Sequence, residues 1–125
     1  MVDSACRRIG RDPSALRRSM ETQVLVLDDW DEWEDWLDRW AELRRRHPMG
    51  EAVSDLLDLQ RIVGDRDEIT QLCRERFLVG TVDELVAKLR AYREAGLSEV
   101  VCWFMDLPST RSMERLMTEV IPATS

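Results

Sequence analysis

Two places in the chain carry residue types that could contact a cofactor or substrate, and both lie at the carboxyl end of a predicted strand. Gly80 and Thr81 come after the apolar residues 77–79 and open a predicted helix. Free backbone N–H groups and the helix dipole at such a point attract phosphate. The spacing of Thr81 and Glu84 also matches a capping box, in which the threonine hydroxyl serves the helix itself. The sequence therefore predicts a cofactor contact at Gly80 and Thr81, with ordinary capping as the more common use of these residues.

The second place is the end of the predicted strand 97–105, where Trp103, Phe104, Asp106 and Ser109 lie close together. Parallel sheets bind their ligands at the carboxyl ends of the strands. We therefore predict that Phe104 and Asp106 contact a cofactor or substrate. Side chains alternate along a strand, so Trp103 and Phe104 point to opposite faces, and the sequence does not decide which face is the ligand's. Asp106 also suits a turn before the Leu-Pro pair that follows it.

Four tryptophans recur at helical spacing early in the chain, at Trp30, Trp33, Trp36 and Trp40. They could form an aromatic wall for a planar cofactor ring or an apolar substrate. They could also be the apolar stripe of an amphipathic helix packed on the body of the protein, or an exposed and adhesive face. We favour the packed helix, because core packing alone produces such a stripe.

Other constellations that carry chemistry are missing from the sequence. His47 is the only histidine, and it follows three arginines at the end of a predicted helix, where a cation is favourable. The sequence contains no Ser/His/Asp set, no G-x-G-x-x-G loop and no His/Cys cluster. Cys6, Cys73 and Cys102 are widely spaced, which indicates neither a disulfide framework nor a zinc site. We therefore assign no catalytic residue and predict no metal.

The charge pattern excludes several classes of partner. The net charge is −7, and acidic residues concentrate in the segment 28–38. An acidic chain without a basic stripe is a poor candidate for binding nucleic acid or an anionic membrane surface. No apolar signal region opens the chain, and no apolar run reaches membrane-spanning length. We expect a protein of the reducing cytoplasm, with no membrane and no nucleic acid among its partners.

The elements that must position these residues alternate between strand and helix. The predicted strands are 22–27, 77–79 and 97–105, and the last is apolar enough to be buried on both faces of a parallel sheet. One helix runs from Val82 to the stop signal Gly96, and another places Met113, Leu116, Met117 and Val120 inward. Two successive βα units imply a parallel sheet.

A long helical connection joins the first two strands. Residues 28–76 hold three predicted helices, at 30–46, 51–63 and 66–75, whereas an ordinary crossover needs about a dozen residues. Near the start, residues 3–9 read as the end of a helix, and Asp12 with Pro13 opens a short one. Insertions of the size of 28–76 cover an active-site mouth or build a subunit contact.

The segment 77–109 also resembles a known family. Three runs are similar to the C-terminal end of the luciferase-like monooxygenases. They are Phe-Leu-Val-Gly-Thr-Val-Asp-Glu at 77–84, Glu-Ala-Gly at 94–96 and Asp-Leu-Pro-Ser at 106–109. Residues 5–14, with Gly-Arg-Asp-Pro-Ser at their end, resemble that family's turn before its sixth strand. The family usually has proline where this chain has Val82. The resemblance implies a (β/α)8 barrel that uses reduced FMN or the deazaflavin coenzyme F-420.

This resemblance sets the expected fold and function. A complete barrel needs about 250 residues, so we expect an α/β fold that is a partial TIM barrel. Residues 1–125 would be a single C-terminal fragment, with a helical insertion at 28–76 and the last two βα units at 77–122. The implied function is part of an oxidoreductase that acts on a small molecule, and we expect the isolated chain to be catalytically incompetent and to bind no flavin tightly. The alternatives are a non-enzymatic interaction or oligomerisation module and a fragment without a function of its own. In each case the open sheet needs a second copy or a missing N-terminal part to cover it.

Overall fold

The computed structural model describes residues 2–46 and 65–124 as helices that pack on a small parallel sheet. The helices are α1 (Val2–Arg8), α2 (Trp33–Arg46), α3 (Arg66–Arg76), α4 (Val82–Glu94) and α5 (Arg111–Arg115). The strands are β1 (Ser19–Leu27), β2 (Leu78–Thr81) and β3 (Glu99–Phe104). Four short turns complete the described elements. Three are 3-10 turns, at Pro13–Ala15, Trp30–Glu32 and Pro122–Thr124, and one is a π-helical turn at Leu116–Val120.

The sheet has the strand order β2-β1-β3, and both pairs of strands are parallel. β1 pairs with β2 through its second half, where Val24 faces Leu78, and with β3 from Ser19, which faces Glu99. The two strands of the segment 77–122 therefore lie on opposite sides of β1. In a barrel built of successive βα units they would be neighbours. The predicted α/β class and parallel sheet are confirmed.

β1 forms the centre of the core because both of its faces are covered. Val24 and Val26 pack against α4 and the C-terminal helical segment, in a cluster that includes Leu85 and Val120. Leu25 and Leu27 pack against α2 and α3 on the other face. We call the first the outer face and the second the inner face. Burial on both faces is the pattern expected of a central strand in a parallel sheet.

Most predicted elements occur close to their expected positions. β1 begins at Ser19, three residues before the predicted start, and α3 covers the predicted helix 66–75. Gly96 ends α4 with φ near +99°, a backbone conformation that glycine adopts readily. The predicted helix 51–63 lies outside the described residues. Within 2–46 and 65–124, no helix is long and apolar enough to cross a membrane.

The expectation that the last strand is buried on both faces is wrong. β3 alternates between exposed and half-buried residues, and Val101 and Trp103 are 50% and 61% exposed on the inner face. Val100, Cys102 and Phe104 pack on the outer face against the cluster formed with α4. α2 and α3 pack over β1 and β2, and the part of the chain that the structure describes leaves the inner face of β3 open.

The inward residues of the last helix also differ from the prediction. Leu116 and Val120 are buried as expected, but Met113 and Met117 are 40% and 60% exposed. The buried residues of this segment are Ser112, Leu116 and Val120, which follow one another at a spacing of four, so Met113 and Met117 lie beside the buried stripe rather than on it.

Candidate functional site

The carboxyl ends of all three strands meet at one edge of the sheet, because the strands are parallel. Asp28 directly follows β1, β2 ends at Thr81, and Asp106 lies two residues after the end of β3. This edge is where a parallel α/β fold places its chemistry. It also contains all four of the residues predicted as cofactor contacts. We therefore treat it as the candidate site.

Thr81 caps α4, as the sequence predicted. Its hydroxyl accepts a hydrogen bond from the backbone N–H of Glu84 at 3.4 Å. The Glu84 carboxylate folds back over Gly80, so closely that a Cβ added at Gly80 would lie 2.3 Å from Glu84 Oε2. A side chain at Gly80 would have to displace the Glu84 carboxylate, and the φ of +156° adds backbone strain to any such substitution.

The Glu84 carboxylate is fixed from a distant part of the chain. The indole Nε1 of Trp30 donates to its two oxygens at 2.9 and 3.0 Å. The guanidinium of Arg74 lies 3.8 Å from the centre of the Trp30 ring on which it stacks. A phosphate that approached the N-terminus of α4 would meet this carboxylate, which has the same sign of charge. The described residues at Gly80 and Thr81 therefore do not fit a cofactor phosphate, and their role as cofactor contacts stays a prediction.

Asp106 is buried at the end of β3 and serves the backbone of the following helix. Its Oδ2 accepts from the N–H of Ser112 at 3.0 Å, and the Ser112 hydroxyl accepts from the N–H of Val26 at 3.0 Å. β3 ends at Phe104, so Ser112 supplies the acceptor for Val26 where the strand no longer runs beside β1. Asp106 Oδ1 is buried without a hydrogen-bond partner among the described atoms. This network explains Asp106 structurally, and a contact to a cofactor stays a prediction.

The structure separates the two aromatic residues at the end of β3. Phe104 is half-buried on the outer face, where it packs against the cluster formed with α4. Trp103 is exposed on the inner face, and its indole N–H donates to Glu21. Phe104 thus points into the helix layer, while its neighbour Trp103 points to the open face. Ser109 accepts from the backbone N–H of Arg111 at 3.2 Å and so forms part of the turn.

A cluster of charges at this edge was missed in the sequence analysis. Arg111 and Arg115 both bind the carboxylate of Asp28, the second at 2.6 Å. Arg115 also binds Glu119 at 2.7 Å, which is the main cause of the raised pKa of Arg115. Sequence gave no signal for these contacts, because Asp28 lies more than 80 residues from both arginines. The cluster fastens the end of β1 to the C-terminal helices, and each guanidinium already has a carboxylate partner.

The tryptophan series packs as the favoured interpretation predicted. Trp33 and Trp40 are buried in the core cluster of the inner face, with their ring centres 5.5 Å apart in an edge-to-face arrangement. The Trp33 indole N–H donates to the Thr70 hydroxyl at 2.7 Å, which ties α2 to α3. Trp30 and Trp36 are partly buried at the border of this cluster. The stripe is therefore core between the helices and the sheet.

Burial shifts the pKa of two interior side chains, Cys73 and Lys88. Burial raises the pKa of the Cys73 thiol to about 12, so this cysteine is a protonated core residue at neutral pH. Burial chiefly lowers the pKa of Lys88, whose ammonium donates to the carbonyl of Phe77 at 2.9 Å. All three cysteines are free. Within residues 2–46 and 65–124 no group of acidic, cysteine or histidine side chains could hold a metal ion, and His47 lies outside that part.

A groove of about 590 Å³ lies at the opposite end of the sheet. Its apolar floor comes from β2, β3 and α4, and its rim includes Met117 and Ile121 of the C-terminal segment. It lies over the outer face of β3, beside the amino end of the strand, and therefore away from the candidate site. The helix layer thus covers β3 only in part.

Comparison with known proteins shows a likeness of fold. No family model matches the chain, and no curated protein matches it by sequence. Among solved structures, an F420-dependent secondary alcohol dehydrogenase in complex with an F420-acetone adduct is similar to 98% of this chain with a TM-score of 0.62. The sequence identity is 21%, and the match covers 37% of that protein's chain. The matched region therefore spans little more than a third of that enzyme's length.

Proposed function

We propose that this chain is part of a flavin- or F-420-dependent oxidoreductase of the luciferase-like kind, to which it contributes strands of a (β/α)8 barrel. The observation that carries the proposal is the likeness of nearly the whole chain to an F420-dependent secondary alcohol dehydrogenase. The resemblance of residues 77–122 to the luciferase-like family supports the same reaction class from the sequence. The substrate would be a small molecule that exchanges electrons with the bound cofactor, and the cofactor supplies that redox chemistry.

In this proposal the chain forms part of the wall of the active site. Residues 1–125 act as one domain, in which α2 and α3, inserted between β1 and β2, cover the inner face of those two strands. The residues at the carboxyl edge have structural partners: Glu84 covers Gly80, and Asp106 binds Ser112. Phe104 points toward the helices. The described residues therefore lack a built site for FMN or F-420, and we propose that the isolated chain is not catalytically competent.

A cofactor titration tests this proposal. Purified protein is titrated with FMN and with F-420, and riboflavin serves as the control that lacks the phosphate. We expect no saturable binding by the chain alone at micromolar cofactor concentration. Micromolar binding would show that the isolated chain holds a cofactor site, and would overturn the proposed incompetence.

The origin of the chain from a longer enzyme has its own test. The nucleotide sequence upstream of the codon for Met1 is translated in the same frame. A coding stretch that matches further βα units supports a barrel enzyme, whereas an in-frame stop codon directly upstream contradicts a longer product of this gene. The two tests are independent, because the first measures binding and the second measures coding capacity.

The second candidate function is a non-enzymatic interaction module, and the coverage of β3 favours it. Val101 and Trp103 are exposed on the inner face, and a groove remains on the outer face of the same strand. An apolar strand left open in this way is a binding surface for another chain. Such a module would use the barrel-derived sheet for association instead of redox chemistry.

A further inference from the structure

We propose that the groove on the outer face of β3 binds a small apolar molecule that carries one carboxylate, and that Arg93 receives this carboxylate. The inference goes beyond both proposed functions, because it concerns a small ligand at the end of the sheet opposite the candidate site. It does not depend on any cofactor.

The groove has the size and the lining of a site for a small molecule. Its volume is about 590 Å³, and such sites usually measure roughly 300–1,000 Å³. Leu89 of α4 and the β3 residues Val100 and Cys102 line it with apolar atoms, and Met117 and Ile121 add exposed apolar side chains at the rim. An apolar ligand that enters removes this surface from water, which favours binding. The body of the ligand is therefore apolar.

The hydroxyl groups that line the groove serve the chain itself. The Ser98 hydroxyl accepts from the backbone N–H of Arg18 and donates to its carbonyl, both at 3.1 Å. The Thr124 hydroxyl donates to the carbonyl of Ile121 at 2.7 Å. These groups hold the loop before β3 and the end of the C-terminal segment in place, so the charged side chains decide which polar group a ligand can carry.

Arg93 is the cation among the described residues that line the groove. One nitrogen of its guanidinium donates to the carbonyl of Thr124 at 3.2 Å. A guanidinium has five N–H donors, so most of them stay available to a ligand. Two of these donors can bind the two oxygens of one carboxylate side by side, which is the strong geometry for this pair of groups. The polar group of the ligand is therefore a carboxylate.

The charges around the groove favour an anion. Arg90 lines a smaller cavity of about 440 Å³ that shares Arg93 and Thr124 with the groove, and it donates to the carbonyl of Ala123 at 2.7 Å. Neither arginine has a carboxylate partner among the described residues, although the net charge of the chain is −7. Their charge at this place is thus not cancelled by an ion pair. Glu99 also lines the groove and opposes an anion, which makes it a useful position for a variant.

A titration of the full chain tests binding. The probe is 1-pyrenebutyrate, followed by its fluorescence anisotropy, and 1-pyrenebutanol is the control that lacks the charge. We expect saturable binding of the acid with a dissociation constant on the order of 10–100 μM, and binding of the alcohol at least about tenfold weaker. Arg93→Gln should raise the dissociation constant of the acid about tenfold, and Glu99→Gln should lower it. The matched control Arg76→Gln changes an exposed arginine of α3 outside the groove and should bind as the parent does.

Alkylation of Cys102 tests the location of the probe, even if Arg93→Gln fails to fold. Cys102 lines the groove and is half-buried, whereas Cys6 and Cys73 are buried. The rate of its reaction with iodoacetamide is measured by mass spectrometry of the Cys102 peptide. At a probe concentration ten times the dissociation constant, we expect this reaction to slow about tenfold, because about one molecule in ten remains unoccupied.

Four results overturn the proposal. The first is a chain with a native circular dichroism spectrum that shows no saturable binding of the acid up to about 1 mM. The second is a folded Arg93→Gln variant that binds the acid as the parent does. The third is a bound probe that leaves the alkylation of Cys102 unchanged, because the probe then lies elsewhere. The fourth is protection of Cys102 that increases with protein concentration without any probe, which would identify a second copy as the occupant. The cofactor titration with FMN and F-420 is read separately, so none of these results decides the proposed oxidoreductase class.

Discussion

The indole N–H of Trp30 donates to both carboxylate oxygens of Glu84, at 2.9 and 3.0 Å, across 54 residues of sequence. This contact joins the segment after β1 to the first turn of α4. It also holds the carboxylate over Gly80, at the point where a phosphate-binding loop would need open backbone N–H groups. The Glu84 carboxylate therefore has a tertiary partner at the point where the sequence predicts a cofactor contact, and that contact stays a prediction.

The substitution Gly80→Ala should destabilise the protein by about 1–3 kcal/mol, because the new methyl group displaces Glu84 from its position. When the Glu84 side chain is removed by Glu84→Ala, the alanine methyl group at position 80 meets less steric conflict. Gly80→Ala should therefore lower the free energy of unfolding by less in the Glu84→Ala background. Urea unfolding of the four proteins of this cycle gives a coupling free energy, which we expect to be about 0.5 kcal/mol or more. Strict additivity of the two substitutions would contradict the contact.

The substitution Ser112→Ala should cost about 1–3 kcal/mol, because it leaves the buried N–H of Val26 without an acceptor. Ser109→Ala is the control: Ser109 makes the same type of bond to Arg111 on the exposed surface, and we expect a loss within about 0.5 kcal/mol. Thermal or urea unfolding measures both. Equal effects would show that Ser112 does not complete the sheet.

The buried Cys73 should make stability fall at high pH. Its folded pKa of about 12 lies above the ordinary value of 9.0, so the unfolded chain releases this proton first as pH rises. The contribution is therefore complete below pH 9 and is lost between pH 9 and pH 12, by at most about 1.4 kcal/mol per pH unit. Free energies of unfolding measured across this range should decline less steeply for Cys73→Ala than for the parent. Parallel curves would contradict a buried, protonated thiol.

The substitution Trp33→Ala should destabilise by about 3–5 kcal/mol, because it empties a buried site between α2, α3 and the sheet and removes the bond to Thr70. Trp36→Ala, at a partly buried position on the same helix, should cost clearly less. Denaturant midpoints at constant m-value separate the two. A small effect of Trp33→Ala would argue against the core role of the tryptophan stripe.

Sequence alone determined the local elements that depend on short-range patterns. The alternation of apolar strand and amphipathic helix predicted β1, β2, β3 and α4, and Thr81 and Gly96 marked the ends of α4, because capping and turn preferences act within a few residues. The parallel sheet followed from two successive βα units. The tryptophan spacing likewise predicted a packed helix.

Tertiary structure decided everything that depends on which elements lie side by side. The position of β1 between β2 and β3 is a matter of strand pairing, and it left the inner face of β3 open although the strand is apolar enough to be buried. The partners of Glu84, Asp106 and Arg115 lie in other elements. Side-chain type fixes what a residue can bind, but only the packed chain fixes which groups come within hydrogen-bonding distance. Asp106 shows the difference. Its residue type predicts a ligand contact, whereas the folded chain shows its hydrogen bond to the backbone of Ser112.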